Sequence, residues 1–180
     1  GINRINVGVQ SFEENHLMTL DRYYDKNKYD AILQNLQDSG IPSIGCDLIY
    51  GIPGQTKSSF YGDLNRLIKG GVNHLSLYSL TAEKGTIYNR KILENSAAPP
   101  NEEIQTEILL ELPSFLDNYG FEQYEVSNFA KEGYYSKHNL KYWTMEYYLS
   151  LGPGAHGFIP KGRYANSRNA EWYLKNGFSL

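Results

Sequence analysis

The stretch from Ser43 to Thr56, S-I-G-C-D-L-I-Y-G-I-P-G-Q-T, limits what this chain can fold into more than any other. Ile44, Cys46, Leu48, Ile49 and Tyr50 form an apolar run of strand length, broken by one charge, Asp47. Gly51, Pro53 and Gly54 then stop the strand and turn the chain. A helical pattern follows over Ser58 to Lys69, with Phe60, Leu64, Leu67 and Ile68 on one face and Gly70-Gly71 closing it. Strand, glycine turn and helix in that order are the unit from which parallel α/β sheets are built. Asp47 is the odd residue, because an ionised carboxylate taken out of water needs a partner or a ligand. Two readings fit it. Either Asp47 caps a neighbouring loop, or it faces a ligand at the carboxyl end of the sheet, where functional groups of parallel barrels gather.

The same unit is repeated on either side. Ile5, Val7 and Val9 alternate through Ile2 to Gln10 and predict a strand. Asn15 to Arg22 predicts a short helix with Leu17 and Leu20 as its apolar side. Lys28 to Ser39 predicts a longer one, with Tyr29, Ile32, Leu33 and Leu36 in register and Gly40 and Pro42 ending it. His74 to Leu80 supplies a third strand. Right-handed crossovers then give a parallel sheet, whose first strand leaves an open edge. Beyond it, Thr81 to Glu103 reads as a polar connection with one helical turn at Ile87 to Leu93. Glu102 to Tyr119 is the longest helical pattern, and Pro113 inside it predicts a kink or a break into two helices, at a cost of about 3 kcal/mol. Phe121 to Phe129 predicts one more strand, and Asn169 to Asn176 a last helix around Trp172 and Leu174.

Composition removes several function classes. A net charge of -3 and scattered Lys and Arg argue against a general nucleic-acid surface. No apolar run approaches the ~18 residues of a membrane span. Cys46 is the one cysteine, which excludes an intrachain disulfide and a multi-cysteine metal or cluster site within this sequence, and fits a reducing, cytosolic setting. The chain opens on Gly1 and runs almost directly into a strand pattern, so a piece of a longer protein is expected.

The glycine loops and histidines add little alone. G-I-P-G-Q at Gly51 lacks Walker spacing, and G-P-G-A-H-G at Gly152 matches G-x-G-x-x-G without opening a clear helix or carrying a Rossmann acid. Both read as tight turns. His16 and His74 read as ordinary residues at element ends. His138 and His156 lie in aromatic or glycine-rich loops with no second histidine or cysteine at ligand spacing, which leaves surface hydrogen bonding or an axial haem ligand.

The polar strand ends carry more. Gln10 ends the first strand, Asp47 lies in the second and Thr81 follows the third, so a parallel sheet projects them toward one rim. With Arg22 they offer an amide, a carboxylate, a hydroxyl and a guanidinium, a set that suits a zwitterionic, ribose-bearing ligand. A network that merely anchors loops uses the same groups.

Several separate stretches together resemble one family. G-V-Q-S-F at Gly8, D-L-I-Y-G-I-P-G-Q-T at Asp47, H-L-S-L-Y-S-L-T at His74, H-N-L-K-Y-W at His138 and G-P-G-A-H-G at Gly152 are similar, in order and spacing, to the HemN/HemW group of radical S-adenosylmethionine proteins. That group contains oxygen-independent coproporphyrinogen III oxidase and a haem chaperone. The resemblance implies an α/β fold, a partial six-stranded β/α barrel of which residues 1–81 supply the last three strands, and residues 82–180 a family-specific extension. It implies a cofactor, S-adenosylmethionine, contacted by Gln10, Arg22, Asp47 and Thr81. It also implies a [4Fe–4S] cluster whose C-x-x-x-C-x-x-C ligands lie outside this sequence, so these residues alone are expected to be inactive. The H-N-x-x-Y-W motif belongs to the chaperone branch and points to haem contact at His138; Lys141 stands where an asparagine is common, and His138 organising its loop against Tyr142 and Trp143 is the alternative. The expected function is therefore a cytoplasmic haem chaperone that passes haem to an acceptor protein. The alternatives are the oxidase, which decarboxylates porphyrin propionates, and a non-catalytic nucleoside-binding module.

Overall fold

A computed structural model describes residues 1–22 and 25–176, with the backbone alone for 26–30. The expected inward position of Tyr29 lies outside the described side chains. The chain gathers into two compact units, Gly1–Tyr135 and Ser136–Leu180.

The first unit is built from β1 (Arg4–Gln10), α1 (Glu14–Thr19), α2 (Lys26–Asp38), β2 (Ser43–Tyr50), α3 (Lys57–Lys69), β3 (His74–Ser79), α4 (Ile87–Leu93), α5 (Glu102–Asp117), β4 (Glu122–Gln123) and β5 (Asn128–Ala130). Its sheet has the order β1-β2-β3-β5-β4. β1, β2 and β3 pair in parallel, while β5 runs antiparallel to both β3 and β4. This is the parallel α/β sheet that the alternation of strand and helix predicts, with β1 as its open edge.

The sheet's faces differ in chemistry because side chains alternate along each strand. Val9, Ile44, Cys46, Leu48, Tyr50, Leu75 and Leu77 are buried on one face. Leu33 and Leu36 of α2, Phe60, Leu64 and Leu67 of α3, and Ile108, Leu112 and Leu116 of α5 join them in one core. α3 is started by a capping box between Thr56 and Ser59, which satisfies two amides that have no partner within the helix. The G-I-P-G-Q turn before it is held by Gln55, whose Oε1 accepts from Gly51 N–H (2.8 Å) and whose Nε2 donates to the Ile49 carbonyl (3.1 Å). Gly51 has φ +81°, and a Cβ there would lie 2.2 Å from Gln105 Cγ. Both facts require glycine.

Two expectations change. α5 runs unbroken through Pro113 as one helix of 16 residues. Pro113 and Leu109 are both exposed, so the carbonyl that proline leaves without a donor can turn to water, while Ile108, Leu112 and Leu116 stay packed on the opposite side. The single strand expected over Phe121 to Phe129 is instead a hairpin of β4 and β5. Its turn is pinned by the Glu125 carboxylate, which accepts from Ser127 N–H (3.1 Å) and from the Asn128 amide.

The second unit contains α6 (Lys137–Trp143), an antiparallel pair β6 (His156–Ile159) and β7 (Gly162–Ala165), and α7 (Ala170–Asn176). α7 is expected from the sequence; α6 and the β6-β7 pair are not, so His138 lies on a helix and His156 opens a strand, where the sequence predicts loops.

Because the Pro113 side of α5 is solvated, Pro113→Ala should add a helical hydrogen bond at no packing cost. The urea midpoint should rise by the equivalent of about 1–2 kcal/mol, within the ~3 kcal/mol span between the two residues in helix interiors. A fall would show that the fold requires the proline.

Candidate functional site

The second face of the sheet is polar. The registers place Arg4, Asn6 and Gly8 of β1 opposite Ser43, Gly45 and Asp47 of β2. Gly45 and Asp47 stand opposite His74 and Ser76 of β3, which in turn face Ala130 and Asn128 of β5. Asp47 thus escapes the core by parity alone: its neighbours Cys46 and Leu48 are fully buried on the other side.

Asn6 Nδ2 donates to Asp47 Oδ1 at 2.5 Å. Gly45 makes that reach possible, since a Cβ there would lie 2.0 Å from Asn6 Oδ1. Arg4 Nη1 donates to Ser43 Oγ and to the Tyr134 carbonyl, both at 3.0 Å. Burial lowers the Arg4 guanidinium from its ordinary value, against the opposing pull of Tyr124 and Asp47. His74, almost fully buried, shares a 2.7 Å hydrogen bond between Nε2 and the Tyr124 hydroxyl. Its Nδ1 is buried with no hydrogen-bond partner among the described residues. Burial first, and the Arg4 charge second, push His74 down to about 3, so it is neutral at physiological pH.

Gln10 sits at the end of β1 in a rare backbone conformation. Its φ is +67°, and Ser11 N–H donates back to the Val9 carbonyl at 2.9 Å. A two-residue bond closed over a residue of positive φ is a γ-turn of the strained hand. The turn folds the Gln10 side chain over the strand, so that its Nε2 lies 2.7 Å from where a Gly8 Cβ would be. Gly8 is the register partner of Asp47. The amide of Gln10 and the carboxylate of Asp47 therefore share the polar face, which is accessible at Asn6 and Gly8.

The other two rim residues are placed by backbone. Arg22 is exposed and follows α1 through a reversal in which Asp21, φ +56°, takes the left-handed position. Arg22 N–H donates to the Leu17 carbonyl (2.9 Å) and Asp21 N–H to that of Met18 (3.1 Å), the paired bonds of a Schellman ending. Thr81 is exposed, two residues beyond β3, with its carbonyl accepting from Glu83 N–H at 3.1 Å. The structure thus brings Gln10 and Asp47 together and adds Asn6, Arg4 and His74, which the sequence reading did not single out. Asn6 and Gln10 share a face with Gly8 at a spacing of two, a signal present in the sequence.

No group of three metal-ligating side chains occurs among the described residues. Burial, followed by Asp47, pushes Cys46 up to about 12, leaving a protonated core thiol unsuited to binding a metal.

In the second unit, His138, Lys141, Tyr147, Tyr148, Leu149, Phe158 and Ile159 line a pocket of about 370 Å³. His138 Nε2 shares a 3.0 Å hydrogen bond with the Tyr142 hydroxyl, and the His138 ring meets Tyr142 and Tyr148 edge-on. An apolar, ring-lined pocket with one imidazole and one ammonium suits a flat aromatic ligand that carries acids. The G-P-G-A-H-G turn is committed elsewhere: Gly154 N–H donates to the Ser167 carbonyl (2.9 Å), Gly152 N–H to the Tyr173 hydroxyl (2.9 Å), and Asn166 Nδ2 to the Gly152 carbonyl (2.9 Å). These amides are not available to cradle a phosphate.

No protein-family model matches the chain. It is 34% identical over 174 residues to the "Heme chaperone HemW" of Bacillus subtilis, covering 97% of this chain and 46% of that protein. It is 36% identical over 171 residues to the "Radical S-adenosyl methionine domain-containing protein 1, mitochondrial" of Bos taurus, covering 94% and 39%. The chain is a homologue of the HemN/HemW group of radical S-adenosylmethionine proteins. It spans less than half the length of these curated relatives. The fold agrees: the whole chain superposes on 45% of coproporphyrinogen III oxidase (HemN) from Escherichia coli, with a TM-score of 0.77 and 24% identity. The chain has the α/β fold of part of that protein. No helix among its described residues is long and apolar enough to cross a membrane.

The buried His74 makes stability depend on pH in a defined direction. Its folded value near 3 lies below the ordinary 6.5, so between those limits the unfolded chain binds the extra proton and acidification favours unfolding. The urea midpoint should fall as pH drops from 6.5 toward 4, and fall less steeply in His74→Gln. Parallel profiles would remove His74 as the cause.

Proposed function

We propose that this chain is part of a HemW-like haem chaperone, in which the polar sheet face holds S-adenosylmethionine and the His138 pocket takes haem for transfer to an acceptor protein. The observation that carries the cofactor half is the meeting of Gln10 and Asp47 on one accessible face. Asp47 already accepts from Asn6 through Oδ1. Its remaining acceptor positions suit the amine or ribose hydroxyls of the cofactor, and the Gln10 amide can donate or accept beside them. Arg22, an exposed guanidinium, matches the ligand's carboxylate, and Thr81 offers backbone as readily as hydroxyl. On this reading residues 1–81 are the carboxyl-terminal half of the barrel and residues 82–180 its family-specific extension.

When bound, S-adenosylmethionine at a reduced [4Fe–4S] cluster supplies radical chemistry; the protein positions it and excludes water. This chain does not fit the cluster. Cys46 is its one thiol and is buried in the core, so cluster ligands would come from other parts of proteins of this type. The haem half rests on the ring-lined pocket and on the H-N-L-K-Y-W run that supplies His138 and Lys141 to it. His138 would hold haem iron through the ring nitrogen that Tyr142 does not engage, or through Nε2 with the Tyr142 bond released. The Lys141 ammonium suits a haem propionate. A lone protonated thiol fits a reducing compartment, here the cytoplasm.

The second reading is the porphyrin-decarboxylating oxidase. The structural likeness to HemN favours it in fold, whereas the haem-chaperone relatives and the H-N-L-K-Y-W run favour the first. Anaerobic assay of the intact protein for coproporphyrinogen decarboxylation separates the two.

Two substitutions test the sites. Asp47→Ala in the intact protein should weaken S-adenosylmethionine binding, read by calorimetry, by about 100-fold, the ratio expected when hydrogen bonds to a charged group worth about 1.5–3 kcal/mol are lost. Unchanged affinity removes Asp47 from the site. His138→Ala should abolish the Soret shift on haem addition, and an identical spectrum would place haem elsewhere.

A further inference from the structure

The strained turn at Gln10 is gripped from the far side of the chain. Ser11 is fully buried, and its hydroxyl donates to Asp63 Oδ2 of α3 at 2.7 Å. Phe12 N–H donates to the same oxygen at 3.0 Å. The hydroxyl has one proton, so it accepts from Glu13 N–H (3.1 Å) and from His16 Nδ1 (3.0 Å). Arg66, one helical turn along α3 from Asp63, lies 4.1 Å over the Phe12 ring. Asp63 is itself nearly fully buried, on the helical face that also carries Phe60, Leu64 and Leu67.

This set of serine, histidine and aspartate is not a nucleophile. The serine hydroxyl donates its hydrogen bond to the aspartate and not to the histidine, and no solvent reaches it. A buried carboxylate held by two donors serves structure. What it holds is the pair of residues directly after Gln10, a non-glycine residue with φ +67° that ordinary strand continuation would not adopt. A residue in that region is strained and persists only where its surroundings over-determine it. Both anchors fall on one carboxylate oxygen.

We propose that Asp63 is the positioning residue for the ligand-facing amide: by fixing Ser11 and Phe12 it holds the γ-turn that folds Gln10 over Gly8 and beside Asp47. This rests on the proposed S-adenosylmethionine site, and it assigns to a residue of α3, on the opposite face of the sheet, control over the aim of one contact in that site. Asp63 acts through Gln10 and touches no ligand. Its effect on binding therefore exists only while Gln10 is present.

A double-mutant cycle on S-adenosylmethionine affinity, measured by calorimetry in the intact protein, reads this directly. Asp63→Ala is expected to weaken binding about 10-fold, and Gln10→Ala by a similar factor, with the double variant no weaker than Gln10→Ala alone. Asp63→Asn keeps an acceptor oxygen and should restore most of the affinity. Wild-type affinity in Asp63→Ala, or losses that multiply in the double variant, would overturn the proposal. A second readout needs no ligand. In the free protein the Gln10 side-chain amide protons should give a nuclear Overhauser contact to the Gly8 α-protons, kept in Asp63→Asn and lost in Asp63→Ala. Persistence of that contact in Asp63→Ala overturns the positioning role. A wild-type protein that shows the contact but binds no S-adenosylmethionine overturns the cofactor reading and leaves the positioning role standing.

Discussion

The structure depends on the side-chain parity of β2. This strand is paired in parallel on both sides, so its alternate residues are committed to opposite faces with no freedom to twist out at an edge. Ile44, Cys46, Leu48 and Tyr50 fill the core, while Gly45 and Asp47 lie on the polar face. A one-residue slip would put the carboxylate among leucines and the leucines in water, at a cost no local adjustment could offset. The apolar face therefore sets the register, and the register delivers Asp47 to Asn6 and to the neighbourhood of Gln10. Packing on one side of the sheet fixes the chemistry on the other.

Two glycines complete the polar face by what they lack. Gly45 leaves the space through which Asn6 reaches Asp47, and Gly8 the space over which Gln10 folds. The face is otherwise lined by groups whose charges are managed from within the sheet. Arg4 is spent on Ser43 and the Tyr134 carbonyl, and His74 is held neutral by burial and by that same arginine. Asp47 is then an accessible charge in the middle of the face among the described residues, and a ligand with a cationic or hydroxyl-rich end is the chemistry it would suit.

Much of this was legible in the sequence, and the remainder was illegible for physical reasons. The three parallel strands and α2 and α3 follow from hydrophobic period, and α4 matches the helical turn expected at Ile87 to Leu93. Glu102 to Asp117 continues as one helix because the carbonyl that Pro113 frees can turn to water, which softens the break, and the solvent exposure of Leu109 and Pro113 is a tertiary fact. The β4-β5 hairpin carries the pattern of one strand because the Glu125 side chain, and not a glycine, makes its turn. In the sequence His16 and His74 look like ordinary residues at element ends. Their burial is set by partners distant in the chain or hidden by packing, Ser11 with Asp63 in one case and Tyr124 in the other. Gln10 and Asp47 stand out in the sequence as polar residues at or near strand ends; the γ-turn that aims Gln10 has no signature in residue type.

Two sites of different character follow from two compact units: a polar, hydrogen-bonding face on a parallel sheet, and a ring-lined pocket around His138. The central claim is that the amide of Gln10 and the carboxylate of Asp47 receive one adenosyl-bearing ligand. Chemical-shift mapping of the intact, isotope-labelled protein with S-adenosylmethionine tests it most directly. The account predicts the largest shifts at the Gln10 and Asn6 side-chain amides and the Asp47 backbone amide, with Cys46 and Leu48 following only weakly. A map that leaves Gln10, Asn6 and Asp47 unmoved while other residues respond would contradict it.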